Sequence, residues 1–477
     1  MQKTLVIGLG ASGQACARFL LKRGHAVIAT DTRGNPPGLA GLKGLEGFEF
    51  VSLEAALARL DEASLAVISP GISPYYSEVA PLVERAGELG LEVAGEIELF
   101  ARELARLKAE RGYAPRLIAV TGTNGKTTTT SLTAKMAAAS GARTVAAGNI
   151  GPNAVTELDK ALEADALPEV WVLELSSFQL ETTSSLKPDA AAVLNVTEDH
   201  IDWHGSFKAY ARAKERIFAE NTVRVLNRDD AKTLAMARGA PRVLTFGQDA
   251  PAAPGAYGLV RLEGAAFLAR AEDDSVRLSS RNTLEGLRVT PMIPASALKI
   301  RGLHNAMNAL AALALVEGAG LPLGPALKAL EAYEGEPHRV QFVLEKDGVA
   351  YFEDSKGTNV GATVAALKGL GGEGRKLCVI LGGDGKGQDF KDLKPAMDAH
   401  ARAAFMIGRD ARLIAGCLEP APYPVVFCES LPEAVRGAAG AARKGDAVLL
   451  SPACASWDMF KDYAERARVF VQTVRSL

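Results

Sequence analysis

Residues 117–130 read LIAVTGTNGKTTTT, an apolar run halted by a turn of threonines and glycines around one lysine. A buried strand that feeds a helix through such a turn constrains the class of fold more than any other stretch of the chain. The backbone must reverse at Gly122 and Gly125, where a Cβ would obstruct both the turn and an approaching phosphate. Backbone N–H groups then line a loop at the positive end of the following helix. Lys126 adds a point charge for the outer phosphates, and Thr127 offers a hydroxyl to the accompanying Mg²⁺. The pattern G-x-x-x-x-G-K-[ST] is incomplete, because Val120 stands where its first glycine belongs. A glycine-rich turn that binds nothing is the competing reading. The order strand, loop, helix favours a site for a nucleoside triphosphate.

At 477 residues the chain is too long for one core and suggests roughly two to four domains. Hydrophobic residues at 48% and charged residues at 23% are those of an ordinary soluble globular protein. A net charge of −2 leaves no basic excess for nucleic acid. The five cysteines (16, 378, 417, 428, 454) are scattered without a CxxC pair, which suits a reduced cytosol and not a zinc site. The start, MQKTLVIGLG, reads as a strand entering a glycine turn rather than a signal peptide, and no apolar stretch is long enough to span a membrane. The expectation is a soluble, cytoplasmic monomer with no nucleic-acid or membrane partner.

Strand-like runs alternate with helical patterns nearly throughout, so the predicted class is α/β with mostly parallel sheets. The alternation restarts three times. The first unit holds strands at Thr4–Gly8, Ala26–Thr30 and Leu65–Ser69, and a charged helical stretch, Glu96–Arg111, separates it from the second. The second carries Leu117–Val120, Val170–Leu175, Ala190–Val196 and Val223–Asn227, then a less regular section near 248–299 that suits a surface β excursion. After a helix starting near Asn305, EGEPH at 334–338 reads as a linker. The third unit has strands at Val349–Phe352, Leu377–Leu381, Ala404–Ile407 and Ala447–Leu450. This organisation predicts three Rossmann-like domains, 1–95, 96–335 and 336–477, the central one a P-loop-type ATPase domain.

Several further groups could carry chemistry. Gly8-Leu9-Gly10-Ala11-Ser12-Gly13 follows a strand, and Asp31 ends the next strand 31 − 13 = 18 residues later. That spacing fits either an NAD fingerprint or a nucleotide-linked substrate. Glu174 ends a strand at the edge where ligands of open α/β sheets collect, and a carboxylate there can hold Mg²⁺. Asn195–His200 (NVTEDH) brings His200 to the same edge. Lys214 lies four residues after Tyr210 and three before Ile217, inside the apolar stripe of a helix that Ser206 can cap. Such a lysine either snorkels or is desolvated with a lowered pKa, and a neutral amine can take up CO₂ as a carbamate. Asn305 and Asn308 are three apart and can face one ligand edge, although capping explains Asn305 equally well. Asp354–Asn359 (DSKGTN) and Gly382–Lys386 (GGDGK) each follow a strand, and their lysines suit carboxylate or phosphate. The chemistry looks like phosphoryl transfer by positioning and metal charge.

The motifs GLGASG, DTR at 31–33, SPGI at 69–72, TGTNGKTT at 121–128, GNIG at 148–151, LELSSFQLE at 173–181, NVTEDH, the AYARAKERIF helix, GLHNAMNAL at 302–310, PHR at 337–339, DSKGTN, LGGDGK at 381–386 and SPACASWDMF at 451–460 run over essentially the whole chain. Together they resemble the Mur ligases of peptidoglycan synthesis, and within them the branch that adds D-glutamate. The resemblance implies that ATP phosphorylates the alanyl carboxylate of UDP-N-acetylmuramoyl-L-alanine and that the D-glutamate amine attacks the acyl phosphate. It places the UDP-linked substrate on Ser12, Asp31, Thr32, Ser69, Gly71 and Asn149, which displaces the NAD reading. It places ATP on Gly122, Thr123, Asn124, Gly125, Lys126, Thr127 and Thr128, completed by Asn305, Asn308, Arg339 and Asp354. Two Mg²⁺ ions are implied on Thr127, Glu174, His200 and a carbamylated Lys214. The catalytic set becomes Lys126, Glu174, His200, Lys214 and His338, and D-glutamate falls to Thr358, Lys386, Ser456 and Tyr463. The chain departs from the family at Gly357, where alanine is usual, at Trp457, where leucine is, and at Tyr463, where phenylalanine is.

Overall fold

The computed structural model describes residues 2–36, 38–149, 151–273, 287–300, 302–371, 374–385 and 388–477. Among these, the strands form three sheets of five, nine and six, within two compact units. The first unit is Met1–Pro294 with Asn308–Leu330, and the second is Ala295–Met307 with Glu331–Leu477.

The first sheet is all parallel, in the order Phe48–Phe50, Ala26–Thr30, Lys3–Ile7, Leu65–Ile68, Val93–Ala94. Near-continuous apolar runs such as LVI and AVI are what a sheet covered on both faces requires. The helix Ala11–Lys22 crosses so close to the first strand that a Cβ on Gly13 would lie 1.8 Å from the Gly8 carbonyl oxygen. This contact, and not loop flexibility, is why the glycine turn needs its last glycine.

The central sheet runs Leu287–Pro294, Ala265–Asp273, Ala256–Leu262, Val243–Phe246, Val223–Asn227, Ala190–Val193, Arg116–Thr121, Val170–Glu174, Thr144–Gly148. The section expected as a surface excursion is instead a direct continuation of this sheet. Its strands pair antiparallel, Ala256–Leu262 with Ala265–Asp273 and that strand with Leu287–Pro294. The second strand of the phosphate-binding edge is also shorter than its apolar run. It stops at Val193, because Asn195 turns to hydrogen-bond the phosphate loop and the Val196 N–H is taken by Asp230. Trp171 anchors the core, its ring edge-on to Phe100 at 5.0 Å and its indole N–H donating to the Tyr113 hydroxyl at 2.9 Å. Phe100 lies on the helix Glu96–Arg111, whose start is tied down as the buried Glu96 carboxylate accepts the Val155 N–H at 3.0 Å.

The third sheet, in the second unit, runs Gln341–Lys346, Val349–Glu353, Ala447–Leu450, Leu377–Gly382, Ala401–Ile407, Val425–Phe427. Only the first pair is antiparallel. No helix of the described residues is long and apolar enough to cross a membrane.

Trp171→Ala is expected to cost about 3–5 kcal/mol, because a fully buried indole leaves a cavity and removes the N–H that the Tyr113 hydroxyl accepts. Thermal unfolding followed by circular dichroism checks this, with Trp171→Phe expected to recover most of the loss.

Candidate active site

The phosphate loop joins the strand Arg116–Thr121 to the helix Lys126–Ala139. Gly125, the residue before the helix, has φ 84, and a Cβ on it would meet Asn308 Oδ1 at 2.5 Å. Glycine is thus required by conformation and by space. The loop is held open from the neighbouring strand end. Asn195 Oδ1 accepts the Asn124 N–H at 2.8 Å, Asn195 Nδ2 donates to the Asn124 carbonyl at 3.1 Å, and the Thr123 N–H donates to the Asn195 carbonyl at 2.9 Å. The Thr123 hydroxyl lies 3.0 Å from the Tyr210 hydroxyl. Thr127 and Thr128 are buried in the first helical turn, and the Thr129 hydroxyl donates to Asn308 Oδ1 at 3.4 Å.

Lys126 curls back, its Nζ donating to the Gly122 carbonyl at 2.8 Å and the Thr123 carbonyl at 2.9 Å. Lys214 donates to that same Gly122 carbonyl at 2.9 Å. Its side chain is 1% exposed, with the ammonium nitrogen 4.5 Å from the Tyr210 ring centre. The structure therefore excludes snorkelling. Burial, and after it the Lys126 charge, hold Lys214 well below the ordinary lysine range, with Asp199 opposing. Ser206 caps this helix as expected, accepting the Ala209 N–H at 3.2 Å.

Glu174 ends its strand 1% exposed, one oxygen accepting from Asn149 Nδ2 at 2.7 Å and the other buried with no hydrogen-bond partner. His200 opens a short helical turn at φ 54, its ring edge-on to Phe178 at 4.6 Å and Nε2 3.4 Å from Asp199. Its pKa is lowered by desolvation and by Lys126 and Lys214, against Asp199. Among the described residues no group of three or more His, Cys, Asp or Glu side chains could hold a metal by itself. The orphaned Glu174 oxygen and the Thr127 hydroxyl fit Mg²⁺, which keeps several waters and takes phosphate oxygens.

At the first sheet's edge, Asp31 is buried and fully engaged. Its Oδ2 accepts the Leu9 N–H at 2.7 Å, and the Arg33 guanidinium grips both oxygens at 2.8 and 2.9 Å. Burial pushes the Asp31 pKa up, but the Arg33 and backbone hydrogen bonds outweigh it and the net shift is downward. The acid thus fastens the glycine turn and presents Arg33. Thr32, beside it, is exposed. The Ser69 hydroxyl donates to the Gly8 carbonyl at 2.8 Å, Ser12 accepts from Asn153 at 3.2 Å, and Gly71 is exposed.

In the second unit, Asp354 is buried and accepts from the Ser451 hydroxyl at 2.7 Å and the Val340 N–H at 3.2 Å. Burial pushes it up to about 7, against Ser451 and the Arg339 charge. A Cβ on Gly357 would lie 2.5 Å from Asp354 Oδ2, so the family's usual alanine would displace this carboxylate. His338 Nδ1 lies 2.8 Å from Glu353, and its ring is edge-on to Tyr463 at 5.7 Å. Lys356 places its ammonium 5.3 Å from the Tyr463 ring centre. The Thr358 N–H donates to the Lys356 carbonyl at 2.9 Å, and Ser456 is buried beside Trp457, which is 70% exposed. Asn305 belongs to the first turn of the helix Leu303–Gly318, its N–H donating to Gly302 at 3.0 Å. Lys386 lies outside the described residues.

The sequence reading missed three supports. Asn195 pins the loop, and its place at a strand end was the available signal. Glu353 holds His338. Arg466, buried in the helix Tyr463–Ser476, donates to the Ser355 carbonyl at 2.8 Å and the Cys454 carbonyl at 3.1 Å.

The chain matches the Mur ligase MurD-like N-terminal domain over residues 2–95, the Mur ligase middle domain over 120–316 and the Mur ligase glutamate ligase domain over 338–454. It is 50% identical to proteins from Burkholderia mallei (strain SAVP1) and Burkholderia pseudomallei (strain K96243), each named UDP-N-acetylmuramoylalanine--D-glutamate ligase, over 99% of this chain and 96% of theirs. Its fold is similar to that of the UDP-N-acetylmuramate-alanine ligase MurC from Thermotoga maritima (TM-score 0.57, 22% identity, 100% of this chain and 99% of that one). It is also similar to that of the MurF ligase from Thermotoga maritima in complex with ADP (TM-score 0.58, 16% identity, 94% and 95%). Identity of this extent along nearly the full length, joined to the domain matches, means that the chain belongs to the Mur ligase family.

Proposed function

We propose that this protein is the ATP-dependent, ADP-forming ligase that joins D-glutamate to UDP-N-acetylmuramoyl-L-alanine, a cytoplasmic step of peptidoglycan precursor synthesis on which cell shape and division depend. The observation that carries the reading is the pair of lysines meeting on the Gly122 carbonyl of a phosphate loop, in a chain half identical to relatives bearing that name. A carboxylate is a poor electrophile. Phosphorylating the alanyl carboxylate gives its carbon a leaving group, and the amine of D-glutamate can then attack. The loop's N–H groups and Lys126 cradle the transferring phosphate, and the protein's part is positioning and charge.

Glu174 and Thr127 would hold Mg²⁺, which neutralises phosphate charge when bound. His200 and Lys214 complete the set. Lys214 is a carbamate in the active form: its buried neutral amine adds to CO₂ and loses a proton, so a neutral group beside Lys126 becomes an anion. Asn305, Asn308, Arg339 and Asp354 complete the nucleotide site. The first sheet's edge, with Ser12, Asp31, Thr32, Ser69 and Gly71, takes the UDP moiety, and Asn149 the rest of that substrate. Thr358, Lys386, Ser456 and Tyr463 take D-glutamate. The working division into 1–95, 96–335 and 336–477 assigns one substrate to each part.

Release of ADP and phosphate is expected to need both UDP-N-acetylmuramoyl-L-alanine and D-glutamate. Turnover unchanged by omitting either one would rule out a ligase, and release of AMP would indicate adenylation instead. Lys214→Ala and Lys214→Arg are each expected to lose about 10²–10³-fold in kcat, and ¹³C-labelled bicarbonate should give the wild type a carbamate resonance that both variants lack. Wild-type activity in Lys214→Arg would show that a cation suffices there. Asp31→Asn is expected to raise KM for the UDP-linked substrate about tenfold, the size of one charged hydrogen bond, with KM for ATP unchanged. Equal effects on both substrates in steady-state kinetics would overturn that assignment.

A further inference from the structure

Ser73 ties the nucleotide edge of the first sheet to the turn that carries His200. The Ser69 hydroxyl donates to the Gly8 carbonyl, and a Cβ on Gly8 would meet Ile72 Cδ1 at 2.5 Å, so Ser69–Ile72 lies against the glycine turn. The next residue, Ser73, is buried, and its hydroxyl accepts the Tyr75 and Tyr76 N–H groups at 3.3 and 3.1 Å. The same hydroxyl donates at 2.9 Å to the Trp203 carbonyl, 130 residues away in the chain. That carbonyl belongs to the single-turn helix Ile201–His204, in which the N–H groups of Trp203, His204 and Gly205 close on the carbonyls of His200 and Ile201. One turn has no stability of its own, because nucleation costs more than so few hydrogen bonds return. His200 at φ 54 and Gly205 at φ 75 bound it in left-handed conformations, which a histidine keeps only when its surroundings enforce it. The order of the turn therefore comes from outside. Ser73 takes its carbonyl, and the Tyr76 hydroxyl lies 2.2 Å from where a Cβ on Gly205 would be. Trp203 stacks on Phe178 at 4.6 Å, and the His200 ring rests edge-on against that same phenyl.

We propose that Ser73 is a positioning residue for His200, through which the uridine diphosphate end of the substrate, bound along Ser69–Ile72, fixes the His200 turn; this rests on the ligase reading above. The coupling is entropic. A ligand that immobilises Ser69–Ile72 also removes freedom from Ser73, Tyr75 and Tyr76, since one hydroxyl joins them. The turn then docks on a partner that is already fixed and loses less entropy in becoming ordered. Linkage makes the effect reciprocal, so an ordered turn raises the affinity for the uridine diphosphate end. Every contact in this sequence lies within the first unit. His200 is thereby set in place when a carboxylate to be phosphorylated is present, which disfavours phosphoryl transfer to water.

Hydrogen exchange of the full-length protein, read by mass spectrometry, tests this with UDP-N-acetylmuramoyl-L-alanine and no ATP or D-glutamate. In the wild type the substrate is expected to slow exchange at Trp203, His204 and Gly205 by about 5–150-fold, the range of ordinary coupling between sites. UDP alone should do the same at saturation. The helix Ala231–Ala235 of the same unit lies outside these contacts, so it reports any general stabilisation and is expected to change far less. In Ser73→Ala, calorimetry should still find the substrate bound while the slowing at the turn is lost. A hydroxyl that only supported the fold would leave the slowing intact and merely speed exchange in both states; that outcome overturns the proposal. Slowing by the whole substrate but not by UDP also overturns it, because direct contact with the turn would then be the cause. A wild-type turn that exchanges equally free and bound overturns it too, whatever becomes of Ser73→Ala, including failure to fold. A wild type that does not bind the UDP-linked substrate removes the ligase reading and the proposal together, whereas binding without slowing removes the proposal alone.

Discussion

One carbonyl oxygen organises the first unit's chemistry. Gly122 offers its oxygen to two lysines from different helices, Lys126 and Lys214. Two ammonium groups on one acceptor repel, and burial against Tyr210, away from water, makes the charge of the deeper one the more disfavoured. The His200 ring also feels both lysine charges, which add to burial in disfavouring its protonated form.

The edges of these sheets share a second device. Loops there carry backbone groups that no strand can satisfy, and single polar side chains satisfy them in pairs. Asn195 takes both the donor and the acceptor of Asn124. Asp31 holds Leu9 and Arg33 together, and Arg466 ties the carbonyls of Ser355 and Cys454. Each clamp fixes a loop relative to a rigid strand, so ligand-facing residues inherit the stiffness of the sheet.

Much of this was legible before any coordinate. Periodicity located the central strands because buried parallel strands are written as unbroken apolar runs, and the glycines of the loop announced their own turn. Edge strands such as Phe48–Phe50, Val93–Ala94 and Val425–Phe427 were not legible, being short and only partly buried. The strands Ala256–Leu262, Ala265–Asp273 and Leu287–Pro294 were read as a surface β excursion and not as part of the central sheet, because glycines and charges break their apolar runs, although Tyr257, Leu268, Ala269, Ala271 and Ile293 are buried. Lys214 could be recognised as anomalous from its place in an apolar stripe, but not that its nitrogen shares an acceptor with Lys126. Glu353 and Arg466 left no trace, since a buried charge looks like any other charge in a string of letters, and only the partner reveals its purpose.

Trp457 gives the protein an optical property of its own. Of its three tryptophans, Trp171 is sealed in the core and Trp203 is buried, whereas Trp457 stands in solvent one residue from Ser456. This loop carries a fluorophore whose emission and accessibility to a soluble quencher belong to it alone. Occupancy beside Ser456 can therefore be read as light from the unmodified chain, with the two interior indoles serving as a constant background.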